Sequence, residues 1–283
     1  MSLPSYATPV ERAWYYGFRF ICGLIFFFLV APIIVMIPLS FNAQPYFTFT
    51  REMLTLNPEG FSLRWYQDLF SSDSWMRSIR NSFVIGIAAT LIATTLGTLA
   101  ALGLSRSEMP AKGFIMGLLI SPMIVPLIIS AAGMFFFYSS VGLANTFPGV
   151  ILAHAALGTP FVVITVTATL VGFDNSLTKA AASMGAGPAR TFFKVQMPLI
   201  LPGVISGGLF AFITSFDEIV IVLFLAGVEQ RTIPREMWSG IREQISPTIL
   251  AVATILVLIS IMLLATLELL RRRTERLRGM SPG

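Results

Sequence analysis

The sequence predicts an all-α membrane protein of six transmembrane helices with both termini on the cytoplasmic side, and three observations carry that expectation. The chain is 55% hydrophobic and 12% charged with mean hydropathy +0.80, whereas a soluble domain is roughly 25% charged. Its apolar residues gather into six blocks, each close to the ~20 helical residues that cross a ~30 Å hydrocarbon core. Lys and Arg, finally, are spread unevenly between the blocks.

The blocks run from Phe18 to Leu39, Phe83 to Leu104, Phe114 to Tyr138, Pro148 to Val171, Leu201 to Leu225 and Ile249 to Leu270. Arg12 and Arg19 before the first block give it the look of a secretory signal. The block is longer than such an apolar core, however, and the following "LSFNAQ" has no good small-x-small cleavage site, so the segment is expected to stay. The single cysteine, Cys22, lies inside it, and no internal disulfide is possible.

With the N-terminus inside, twelve of the 19 basic residues fall on inside segments and seven outside, which favours cytoplasmic termini. The seven are balanced by nearby acids, among them Glu52, Asp73, Glu229 and Glu236. Trp14, Tyr15 and Tyr16 fit an interfacial aromatic belt. The net charge of +5 requires no nucleic acid, because "RRRTERLR" stands where a membrane-edge basic cluster belongs. The chain thus reads as an N-terminal segment 1–17, a membrane domain 18–270 and a basic tail 271–283.

The second and fifth blocks carry small residues at close-packing spacing. Gly86, Ala89, Ala93, Gly97 and Ala100 recur at three or four, and "GVISG" from Gly203 to Gly207 is a GxxxG pattern, so tight helix contacts are expected within the chain or across a dimer of membrane subunits. Pro122 and Pro126 are expected to kink the third block, which suits a gate. A lone His154 reads as a helix-to-helix hydrogen bond, since no second histidine is present for a metal site.

Asp217 and Glu218 in the fifth block are the candidates for a permeation path. Ionisable groups in a spanning helix cost at least about 2.5 kcal/mol each, so they should face a cavity or a partner. Adjacent helical residues point about 100° apart, so one carboxylate can meet solute while the other bonds a neighbouring helix. His154 and Asn81 are the partners available by type. Pairing with a second membrane subunit is the structural alternative.

The inside loop 172–200, between the fourth and fifth blocks, is the longest on its side. Ala180, Ala181 and Ala182 favour helix. The "GAGP" at Gly185 to Pro188 supplies a glycine cap and a proline that starts a second helix, which is expected to wind until Pro198. Phe192 and Phe193 offer aromatic contacts to a partner protein or, equally, pack under the membrane face.

Here "KAAASMGAGPARTFFKVQMP" resembles the EAA signature of permease subunits in ABC importers: EAA, three residues, Gly, nine residues, Ile, any residue, Leu-Pro. Ala180, Ala181 and Gly185 match, and the spacing of nine leads to Val195, Gln196, Met197 and Pro198. Lys179 stands where the family has Glu. "SFDEIVIVLFLAG", "RTIPREMW", "IREQISPT" and "NSFVIGIAATLIATTLGTLAALGLSR" extend the likeness to the second permease of spermidine/putrescine-type importers, a subfamily that also includes carriers of opines, sugar-acid conjugates and other small solutes.

The resemblance implies a type I importer (MetI-like) permease fold in a bacterial inner membrane. It also implies that Lys179, Ala180, Ala181, Gly185, Ala186, Arg190 and Pro198 form a coupling element seated on a separate ATPase. Implied partners are a second permease, an ATPase dimer and an extracytoplasmic solute-binding protein. No G-x-x-x-x-G-K-[ST] phosphate loop occurs, so this chain binds no cofactor by that route, and ATP and Mg are expected to be used by the partner ATPase. The outside segment 40–82 is too small for a solute-binding domain. Its "LRWYQDLF" is expected to lie at the membrane surface, with Trp65 and Tyr66 available to dock the external binding protein.

An embedded enzyme would need a catalytic constellation, and the acidic pair has no His, Cys or Lys near it in sequence. A six-helix channel driven without ATP would have no reason for the coupling loop.

Overall fold

A computed structural model describes residues 8–106, 108–174, 176–243 and 246–277, with the side chains of its last helix described largely as far as Met262. The basic cluster from Arg271 to Arg278 therefore lies outside the described side chains. The helices are α1 (Pro9–Leu39), α2 (Arg51–Leu54), α3 (Arg64–Ser71), α4 (Asp73–Leu104), α5 (Lys112–Ile124), α6 (Leu127–Ser140), α7 (Phe147–Val171), α8 (Ser176–Ser183), α9 (Pro188–Thr191), α10 (Met197–Phe216), α11 (Val220–Leu225), α12 (Ile233–Glu243) and α13 (Thr248–Leu277). Among the described residues, β-pairing is limited to one isolated bridge between Asn42 and Phe61.

Four helical runs are long and apolar enough to cross a membrane: α1, α4, α7 and the stretch Pro188–Phe216. The α5–α6 pair, bent by 102°, makes a fifth if it counts as one span. The sixth expected span falls on α13, whose described apolar stretch, Thr248–Met262, is shorter than a crossing. Two compact units divide the chain, residues 1–72 with 240–283, and residues 73–239.

In the first unit, α1 opens with a capping box in which the Glu11 N–H donates to Thr8 Oγ1 (3.3 Å) and the Thr8 N–H to Glu11 Oε2 (2.8 Å). Its apolar side chains, such as Phe26 and Phe28, are exposed, and its contacts in this unit are with α13. The segment after α1 is knotted around the buried Asn42, whose Nδ2 donates to the carbonyls of Tyr46 (3.0 Å) and Thr48 (2.9 Å).

Trp65 and Tyr66 belong to that knot, contrary to the docking role expected for them. The Trp65 indole is buried and donates to the Asn42 carbonyl at 2.7 Å, and the Tyr66 hydroxyl lies 2.7 Å from Ser40 Oγ with its ring 5.0 Å from Phe41. A buried indole N–H needs an acceptor, and the loop supplies one. These side chains are spent inside the unit.

In the second unit α4, α7 and α10 pack against one another over a core of Ala93, Ala155, Val162, Val166, Val204 and Ala211. The small residues permit it. A Cβ on Gly97 would lie 2.6 Å from Val162 Cβ, one on Gly158 would lie 2.8 Å from Ala211 Cβ, and one on Gly203 or Gly207 would strike Thr169 or Thr165. Where lipid tails are as apolar as the side chains, such close approach is what drives helix association. Of the two settings open to these glycines, the chain uses the intramolecular one.

Two blocks read as single spans are broken. The third parts at Val125, which is extended (φ −69°, ψ 131°) because the following Pro126 disfavours helical backbone there; Pro122 stays within α5. The fifth ends at Phe216 and resumes at Val220, leaving Asp217 and Glu218 in the gap.

Candidate functional site

The loop 172–200 folds as the two expected helices, α8 and α9. Asp174 starts α8, its Oδ1 accepting the Ser176 N–H at 2.8 Å and its Oδ2 the Ser176 hydroxyl at 2.7 Å. Those bonds hold the exposed Asp174 carboxyl below the usual carboxylate range. At the other end the Ala186 N–H bonds to the Ala181 carbonyl (3.0 Å) and the Gly185 N–H to that of Ala182 (2.9 Å). That six-to-one, five-to-two pair is a Schellman motif, and it requires a left-handed residue: Gly185 has φ +81°. Pro188 then occupies the first turn of α9, where its missing N–H costs nothing.

Ala181 turns inward, while Lys179, Ala180, Ala182, Gly185 and Arg190 are exposed and Ala186 is half-buried. Lys179 is in neither of the two ion pairs among the described residues, Arg77–Glu229 and Arg231–Glu236. Met184 (83% exposed) and Phe193 (67%) stand out from this small-residue surface, whereas Phe192 packs against the core. Met184 escaped the sequence reading. Its only signal was its place just before a helix-ending glycine, where the chain has no core to turn into.

The second helix, expected to stop at Pro198, instead runs on through it. Residues Phe192–Gln196 form a π-turn, with the Met197 N–H reaching the Phe192 carbonyl. The widened turn accommodates a proline that would otherwise leave an N–H missing and crowd a carbonyl one turn back. The exposed Pro198 therefore sits within a continuous helical run, Pro188–Phe216, of 29 residues, about 43 Å at 1.5 Å per residue. One end of that rod is the hairpin, and the other is Asp217.

At the far end the two carboxylates part company. Asp217 caps α10 through its backbone and is exposed. Glu218 is 7% exposed, and its Oε1 accepts the Ile221 N–H at 2.9 Å. Neither expected partner reaches them. His154 is buried with Nδ1 at 2.8 Å from Ser215 Oγ, which makes it the helix-to-helix bond anticipated, and Asn81 donates to the carbonyls of Glu229 (2.7 Å) and Arg231 (2.9 Å). Beside Asp217, the Phe216 ring meets Phe83 at 5.3 Å and Phe212 at 5.4 Å. The aromatic group was not anticipated, because Phe83 comes from another helix. A further cleft, of about 330 Å³, lies at the head of α4 between Asp73, Ser74, Arg77, Ser78, Val228 and Arg231.

The chain belongs to the family of inner membrane components of binding-protein-dependent transport systems, whose model matches residues 93–276. Within it the chain is a multi-pass permease subunit of an ABC importer, a transport subunit like its named relatives rather than an enzyme. It is 31% identical to the spermidine/putrescine transport system permease protein PotC of Haemophilus influenzae, over 89% of this chain and 95% of that one. It is also 31% identical to the putrescine transport system permease protein PotI of Escherichia coli, over 82% of each. The structure of a bacterial ABC transporter involved in the import of the acidic polysaccharide alginate superposes with a TM-score of 0.75 at 14% identity, over 94% of this chain and 99% of that chain, which shows a common fold.

Proposed function

We propose that the chain is one permease of an ATP-driven polyamine importer in a bacterial inner membrane, with both termini and the α8–α9 hairpin in the cytoplasm. A second permease completes the path. An ATPase dimer, which binds and hydrolyses ATP with Mg, receives the hairpin, and an extracytoplasmic solute-binding protein delivers the solute. Lys179, Ala180, Gly185, Ala186 and Arg190 form the seat on the ATPase, with the inward-turned Ala181 holding α8 in place and Pro198 lying where the hairpin passes into α10.

The observation that carries this reading is the continuous run Pro188–Phe216, which joins an exposed, capped hairpin to an exposed carboxylate. A push on α9 moves α10 along its length, because a helix resists bending far more than a loop does, and the displacement arrives at Asp217. Asp217 directly follows Phe216, whose ring meets those of Phe83 and Phe212, and an exposed carboxylate next in the chain to an aromatic group suits an alkyl ammonium: the charge offsets lost hydration, and ring faces attract the cation. Similarity to permeases named for spermidine and putrescine supports the same solute.

The test is ATP hydrolysis by the reconstituted complex as putrescine or spermidine is added with the binding protein. Stimulation in the wild type that is lost in Asp217→Asn is the expected result. Stimulation only by a different solute keeps the importer and removes the polyamine.

A further inference from the structure

α11 is only six residues long, and its Ile221, Val222 and Leu225 are fully buried. So short a helix leaves nearly all of its end N–H and carbonyl groups without intrahelical partners, and in apolar surroundings each needs another. The chain supplies them with charged side chains of opposite sign at the two ends. Glu218 accepts the Ile221 N–H at 2.9 Å, and Arg235, from α12, donates through one nitrogen to the carbonyls of Ala226 (2.6 Å), Gly227 (3.1 Å) and Val222 (3.3 Å). An anion at the start and a cation at the end match the helix dipole.

We infer that Glu218 and Arg235 are positioning residues that clamp α11 at both ends and thereby fix Asp217, and that Glu218 itself makes no contact with solute. The inference rests on the role proposed above for Asp217. Burial and the bond from the Ile221 N–H hold the Glu218 carboxylate at the start of α11, and swinging it out toward solute would leave that N–H without its acceptor. Asp217, one residue earlier and exposed, pays no such penalty.

Two substitutions at one position separate the roles. Glu218→Gln keeps an acceptor oxygen and removes the charge, and Glu218→Ala removes both. Putrescine uptake by the full complex in proteoliposomes, and hydrogen exchange of the amides from 220 to 226, are measured for these, for Arg235→Met and Arg235→Lys, and for Asp217→Asn. The clamp predicts that Glu218→Gln stays within about threefold of wild-type KM, whereas Glu218→Ala and Arg235→Met raise KM about tenfold and speed exchange about tenfold. Arg235→Lys should recover part of both. Asp217→Asn should raise KM with exchange unchanged.

A Glu218→Gln that raises KM as much as Glu218→Ala, with α11 exchange still slow, overturns the inference and assigns Glu218 to the solute. Slow exchange in both Glu218→Ala and Arg235→Met overturns it as well. If Asp217→Asn has wild-type KM, the path reading fails by itself, while exchange in α11 still decides the clamp. Should Glu218→Ala fail to assemble, the Arg235 pair reads the same clamp from its other end.

Discussion

α8 and α11 are both short helices beside an interruption of the chain, yet they close their ends by different means. α8 is exposed, and its closing groups are neighbours in sequence, Asp174 at its start and the left-handed Gly185 at its end. α11 is buried, and its far end is closed by Arg235, which lies thirteen residues from Val222. An exposed helix carries its own stop signals, because no surrounding core supplies them, and the partner proposed for α8 would find its shape already set. A helix set into the bundle can borrow its stops from the fold.

That contrast is broken most severely at Gly185. A β-branched residue in the left-handed region costs upwards of about 1–2 kcal/mol and opens the Schellman pair. Gly185→Val is expected to cut ATP-driven uptake by about tenfold or more while membrane insertion is unchanged. Gly185→Asn, which tolerates the same backbone, should keep most of the uptake. Equal uptake in Gly185→Val and wild type would remove the hairpin from the coupling path.

Within the second unit, Asn81 is the larger lever on stability. Asn81→Leu orphans the carbonyls of Glu229 and Arg231 and should cost about 3 kcal/mol, read as a lower thermal midpoint in detergent. Gly207→Ala comes next, at about 2 kcal/mol, since its Cβ would press on Thr165 and come within 2.7 Å of Val162 Cα. A Cβ at Gly185 meets nothing within 4 Å, so Gly185→Ala should fray α8 and leave the thermal midpoint of the bundle alone.

The smallest effect is a pH dependence at the start of α8. The Asp174 carboxyl is depressed by its bonds to Ser176, so its contribution is present above the ordinary value of 3.8 and is lost as pH falls through the lower folded-state value. Protection of the Ser176 amide, its exchange relative to the intrinsic rate at the same pH, should therefore fall below about pH 4, and Asp174→Ala should show the lower protection without that pH dependence.

Much of the hairpin was legible because its determinants are local. Gly185, Pro188 and the three alanines act through their own backbone preferences. The small-residue faces of α4 and α10 were legible for a similar reason, since spacing alone puts them on one side. The break of the third block followed from Pro126. The break after Phe216 did not announce itself: no Gly or Pro marks it, and an acidic pair inside an apolar run reads as a path before it reads as a cap. Pro198 misled in the other direction, because a π-turn, invisible in composition, carried the helix through it. Trp65 and Tyr66 looked free until Asn42 and Ser40, more than twenty residues away, were folded against them.

The central claim is that the α8–α9 hairpin seats on an ATPase and passes its motion to Asp217. Met184, the most exposed large apolar side chain of the hairpin, is the place to test it directly. In a chain whose only native cysteine, Cys22, is replaced by Ser, Met184→Cys is treated with a thiol-reactive cross-linker in the assembled complex, with and without ATP. Cross-linking to the ATPase subunit with a yield that changes on ATP addition is the predicted result. A cross-link to the solute-binding protein, or no ATPase adduct in a complex that still transports, would contradict it.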